Sequence, residues 1–162
     1  MKATILAALV ILLSVNVASA QRINPFDAVS SVDTARNTVF LELSSSLLSN
    51  SLAVNYEYQF SDIMSVRVGT GAAMQMEGAS AVGVTAGLQL FTAGDGRLEG
   101  GAGISAVYSN TSPMLPMAFG VSPAVNLGYR YQPVEGGMMF RVGLSYSYNF
   151  GFPVQGSAGY AF

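Results

Sequence analysis

The chain has 162 residues, 51% of them hydrophobic and only 10% charged, with a formal charge of −2. A soluble domain carries about 25% charged residues, so this chain is starved of surface charge, and its mild acidity argues against a nucleic-acid partner. It contains no Cys and no His, which excludes disulfides, a cysteine-borne lipid anchor, Ser-His-Asp and Cys-His catalysis and the usual transition-metal ligand sets.

The N-terminus reads as a targeting segment. Lys2 supplies a short positive region, Ile5 to Val15 form an apolar run, and Ala18-Ser19-Ala20 is a small-x-small cleavage site. This is the pattern of a cleavable secretory signal peptide over residues 1–20, with Gln21 as the mature start. An uncleaved anchor is the alternative, but the apolar run is short for that role. No later stretch approaches ~20 continuous apolar residues, so no further transmembrane helix is expected. Residues 21–36 are polar and mixed. They read as a periplasmic leader with at most a helical turn around Asp27 to Asp33.

Eight extended segments follow, each with side chains alternating between two faces, the period of a strand. They run about Asn37–Leu48, Ser51–Phe60, Met64–Gln75, Ser80–Thr92, Arg97–Ser109, Val121–Gln132, Met138–Asn149 and Val154–Phe162. The second is typical: Leu52, Val54, Tyr56, Tyr58 and Phe60 oppose Ala53, Asn55, Glu57 and Gln59. The seventh sets Phe140, Val142, Leu144, Tyr146 and Tyr148 against Arg141, Gly143, Ser145, Ser147 and Asn149. One face is large and apolar; the other is small, polar and sparsely charged. A transmembrane barrel turns the first to lipid and the second to its lumen. Each segment is long enough to cross a bilayer as a tilted strand of roughly 9–11 residues. Turns rich in Gly, Asp and Pro follow the second, fourth and sixth segments, and these belong on the periplasmic side. The predicted fold is all-β: an eight-stranded antiparallel up-and-down transmembrane β-barrel (37–162) preceded by a cleavable signal peptide.

Charge placement is the most specific signal. Glu42, Glu57, Arg67, Glu99, Arg130 and Arg141 all share the small, polar face. A basic residue aimed at lipid near the midplane costs about 2–4 kcal/mol. Inside a lumen, three acids and three bases can pair, whereas a lone buried charge is strongly destabilising. Gly69, Gly71, Gly83, Gly87, Gly101, Gly103, Gly128 and Gly143 share this face and leave space for long side chains. A barrel of eight strands is just wide enough for side chains to fill. The network therefore reads as a plug; a narrow ion path or substrate pocket is the other reading. The outward aromatics gather toward the strand ends, as two interfacial girdles would.

Catalysis lacks its parts. Glu57 and Glu99 form a candidate carboxylate pair, but arginines on the same face offer them partners. Gly101-Ala-Gly103-Ile-Ser-Ala106 matches a loose dinucleotide pattern, yet no helix follows it. No catalytic, metal or cofactor site is expected. Met114, Leu115, Met117 and Phe119 lie in the longest predicted external loop, a candidate contact surface or a flap resting in the lipopolysaccharide interface.

The final Tyr160-Ala161-Phe162 resembles the C-terminal signal of outer-membrane barrels. That resemblance implies recognition of Tyr160 and Phe162 by the barrel assembly machinery. In architecture the whole chain resembles the small OmpA- and OmpX-like barrels. The stretches Asn37-Thr-Val-Phe-Leu-Glu-Leu43 and Gly128 to Gly143 look like uncharacterised outer-membrane barrels of Bacteroidota type. The resemblance implies a bacterial outer-membrane location, contact with outer-membrane lipid and lipopolysaccharide, and a monomer. The leading expectation is a closed barrel with a structural or surface-interaction role. The alternatives are a narrow channel or small hydrophobic-molecule transporter, and a soluble secreted binding barrel.

Overall fold

The computed structural model describes residues 35–47, 49–75, 79–110, 118–148 and 151–162. The signal peptide, and the leader up to residue 34, lie outside them. Eight strands form: β1 Asn37–Ser45, β2 Ser49–Ser61, β3 Met64–Gln75, β4 Ser80–Phe91, β5 Gly96–Asn110, β6 Ala118–Tyr131, β7 Gly137–Ser147 and β8 Val154–Ala161. Each pairs antiparallel with its neighbour in sequence, and β8 pairs back onto β1, so the sheet closes as an up-and-down barrel. Closure leaves no open sheet edge, which is what a strand structure needs in lipid. No helix among the described residues is long and apolar enough to cross a membrane; strands are the crossing elements.

The strand bounds differ from the sequence reading at several ends, for local reasons. β1 stops at Ser45 because Ser46 turns the chain: its N–H donates to the Ser49 carbonyl at 2.8 Å, and its hydroxyl accepts from the Ser49 N–H at 3.0 Å. β7 stops at Ser147 because Ser147 and Gly151 exchange backbone hydrogen bonds, with Gly151 at a φ of 70°. β6 begins at Ala118, earlier than expected, so Phe119 lies in a strand and opposite Tyr108. The Gly136 turn between β6 and β7 has a φ of 95°, a conformation glycine tolerates and L side chains rarely adopt. Ala35 and Arg36, counted with the leader, are tied to the barrel by backbone hydrogen bonds to Val134 and Gln59.

The exterior is apolar along every strand. Leu41, Val68, Leu88, Ile104, Leu127 and Leu144 all stand exposed. Tyr56, Tyr58, Phe60, Tyr129, Tyr131 and Phe140 are exposed around the end bearing the β2–β3, β4–β5 and β6–β7 turns, and Tyr108, Tyr146 and Tyr148 toward the opposite end. So much unshielded apolar surface suits hydrocarbon, and water would penalise it. The buried class is inverted: Arg130, Arg141, Glu57 and Glu99 are among the largest fully buried side chains.

If the outer face meets lipid, Leu144→Arg near the middle of β7 will lower unfolding free energy by about 2–4 kcal/mol. Urea titration of protein refolded in lipid vesicles measures this, and an unchanged midpoint would refute the outward assignment.

Candidate functional site

The six luminal charges predicted from parity come together in one network. Glu99 is its hub. Its carboxylate lies 3.5 Å from Arg67 and 3.8 Å from Arg130, and Arg141 Nε donates to it directly. Glu57 accepts from Arg67 Nε at 2.9 Å and from Arg130 Nη1 at 2.5 Å. Glu42 accepts from Arg141 Nη1, also at 2.5 Å. Strands β1, β2, β3, β5, β6 and β7 are thereby joined through the lumen.

Register explains the long reach. Arg97, Arg130 and Arg141 stand directly opposite one another on β5, β6 and β7. Like charges in cross-strand register repel, and shared partners offset this: Glu99 lies against both Arg130 and Arg141, and Phe91 against both Arg97 and Arg130. Arg130 crosses from β6 to Glu57 on β2, four strands around an eight-stranded ring. Small neighbours make room for the long side chains: Gly87 faces Arg67 and Gly128 faces Glu99 across the ladders. Gly87 in turn faces Gly103, and Gly128 faces Gly143. A Cβ on Gly128 would stand 2.6 Å from the Val142 carbonyl oxygen, closer than any real contact.

Four functional neighbours escaped the sequence reading. Phe40, Phe91, Met139 and Arg97 all point inward and are buried. Phe40 lies under the Arg67 guanidinium, 5.1 Å from ring centre. Phe91 lies between Arg97 and Arg130, at 5.5 and 5.2 Å, distances at which a ring face attracts a cation. Arg97 reaches Gln59 Oε1 at 3.4 Å and the Gln132 carbonyl at 3.5 Å. Parity alone would have found all four, since Phe40 sits between Thr38 and Glu42, and Arg97 shares its side with Glu99. Their residue types hid the apolar three, because large apolar side chains were assigned to lipid. The end of the barrel that carries the tight turns is thus filled by Phe40, Phe91, Met139, Thr38 and Gln132.

Toward the other end the lumen opens into a cavity of about 180 Å³. Glu42, Arg67 and Arg141 line it on the network's side. Ser44, Ser51, Asn55, Ser147 and Gln155 supply hydroxyls and amides, while buried Ala73, Ala81 and Val107 form an apolar wall. Among the described residues no three of His, Cys, Asp and Glu are grouped to hold a metal ion.

The remaining predicted residues are dispersed. Tyr160 faces outward, between Val39 and Met138. Phe162 exchanges backbone hydrogen bonds with Asn37 at 3.0 and 2.8 Å, extending the seam where the barrel closes. Phe119 is exposed on β6. Met114, Leu115 and Met117 lie outside the described residues.

No protein-family model matches the chain, and no curated protein matches it in sequence. Solved structures do match in fold. The N-terminal β-barrel domain of Pseudomonas aeruginosa OprF superposes with a TM-score of 0.69 at 10% identity, covering 80% of this chain and 98% of that one. The chain has the fold of a small OmpA/OmpX-like outer-membrane barrel. The Yersinia pestis outer membrane protein Ail matches with a TM-score of 0.54 at 15% identity, covering 79% of this chain and 99% of its own. Neisserial surface protein A matches with a TM-score of 0.54 at 16% identity, covering 78% and 93%.

Because Glu99 meets three arginines and Glu42 meets one, their removal will not be equivalent. Glu99→Gln is expected to cost about 3–5 kcal/mol, the penalty of stranding buried charge, and Glu42→Gln clearly less. Equilibrium unfolding in vesicles gives both values, and equal losses would overturn the hub assignment.

Proposed function

We propose that the protein is an integral barrel of the bacterial outer membrane whose lumen is closed by ion pairs, with a structural or surface-interaction role. One observation carries the closed reading: Arg130 on β6 bonds Glu57 on β2, so paired side chains span the whole width of the lumen. Buried aromatics and Met139 fill the lumen behind that bridge. The apolar exterior disfavours the soluble secreted alternative.

In this reading residues 1–20 are removed on export, and the turn-rich end faces the periplasm. Tyr160 and Phe162 are read by the assembly machinery, and the finished barrel sits as a monomer among outer-membrane lipid and lipopolysaccharide. The outward loop containing Met114, Leu115 and Met117 is the candidate contact surface. The cavity at the loop end favours one second reading, a narrow channel or small hydrophobic-molecule transporter. It differs from the first in requiring the ion-pair bridge to part.

Planar-bilayer recording separates the two. The native protein is expected to show no steady conductance, and Arg130→Ala combined with Glu57→Ala is expected to introduce it. Steady conductance through the unaltered protein would sink the closed reading. Localisation is checked independently: the protein should fractionate with outer membranes, change its gel mobility on boiling, and begin at Gln21 on N-terminal sequencing. Release into buffer without detergent would count against the membrane assignment.

A further inference from the structure

We propose that the loop-end cavity is a binding site for a small, neutral polyhydroxyl solute, of polyol to monosaccharide size. The site rests on the closed reading, because the ion-pair network is its floor.

Three buried polar atoms on residues lining the cavity lack a hydrogen-bond partner: Asn55 Nδ2, Gln155 Oε1 and Arg141 Nη2. Asn55 is 4% exposed, Gln155 8% and Arg141 2%. A buried polar group left without a partner costs folding free energy. Rotation about the soft terminal torsion of either amide is the movement that would present it to the cavity. All three residues line that cavity: Gln155 on β8 faces Ser44, Asn55 on β2 faces Phe40, and Arg141 is already bonded to Glu42.

The chemistry of these atoms selects the ligand class. Two are donors and one is an acceptor. A hydroxyl both donates and accepts, so neighbouring hydroxyls on one molecule can satisfy all three. A carboxylate serves only the donors, and would compete with Glu42 for Arg141. A cation would compete with Arg141 for Glu42. The charges lining the cavity are already committed to partners in the network, which favours a neutral ligand. Ala73, Ala81 and Val107 supply an apolar wall, against which C–H groups of a carbon skeleton gain contact and water gains none. A few placed polar groups beside an apolar surface is the usual make-up of a small-molecule site. The space, about 180 Å³, suits a small polyol or a single sugar ring.

The test uses the full protein refolded in nanodiscs, with the side-chain amide signals of Asn55 and Gln155 followed by NMR. Glycerol, erythritol and glucose are titrated alongside glycine and succinate. Saturable shifts of both amides by erythritol or glucose, stronger than those by glycine or succinate, are expected. Gln155→Leu and Asn55→Ser should each weaken binding about threefold to tenfold, the worth of one net hydrogen bond. The lipid-facing Leu127→Ala should leave it unchanged, and boiling-dependent gel mobility shows which variants have folded. Shifts that never saturate for any polyol would reduce the cavity to a water-filled vestibule and overturn the proposal. Tighter binding of glycine or succinate would overturn the neutral class. Neither result touches the closed reading, which the conductance measurement decides separately.

Discussion

One carboxylate organises the interior. Glu99 on β5 draws Arg67, Arg130 and Arg141 from three other strands, in a lumen sheltered from water. Removing a charge from water costs several kcal/mol per ion, and mutual attraction repays this only when every member has good partners. The network meets much of that condition by sharing, while Arg130 Nε and Nη2 and Arg141 Nη2 are left without a partner. Glu57 serves two arginines, and each of Arg67, Arg130 and Arg141 serves two acids. Breaking any member therefore strands others, which makes the interior a unit.

The same constraint explains the distribution of small and large residues. Gly87 and Gly128 face Arg67 and Glu99 across the ladders, while Arg130 stands between Arg97 and Arg141 and crosses the lumen without a facing glycine. The apolar filling behind the network does separate work. Phe91 lies within 5.5 Å of the Arg97 and Arg130 guanidiniums, and Phe40 carries Arg67, so ring faces supplement the carboxylates around these cations. The lumen is layered as a result: an apolar layer at the turn-rich end, an ion-paired middle and a hydroxyl-lined cavity beyond.

Much of this was legible from alternation. Strand count, antiparallel order and the inward side of all six charges follow from a period of two, because a charged residue on the wrong side would face hydrocarbon. Strand ends were less legible. Ser46 and Gly151 end strands through hydrogen bonds that depend on backbone conformation, and Ser-rich or aromatic stretches continue the alternation past them. Phe119 was placed in a loop although β6 already includes it. Phe40, Phe91 and Met139 are hidden by residue type, since large apolar side chains in these strands otherwise face outward, and only parity places them inside.

By itself, the sequence determined which face of each strand meets lipid and which meets the lumen. That choice is local and carries a penalty at every position. It also determined that the inward charges are of both signs, three acids against four bases once Arg97 is counted with Arg67, Arg130 and Arg141. Only the tertiary structure decided who pairs with whom. Arg130 could have met Glu99 or Glu57 with equal chemical sense, and its stronger bond to Glu57 depends on closure of the barrel, which brings β6 opposite β2. The cavity is likewise a product of closure. Its polar wall on β8, β1 and β2 and its apolar wall on β3, β4 and β5 come from segments far apart in the chain, and no single strand contains it.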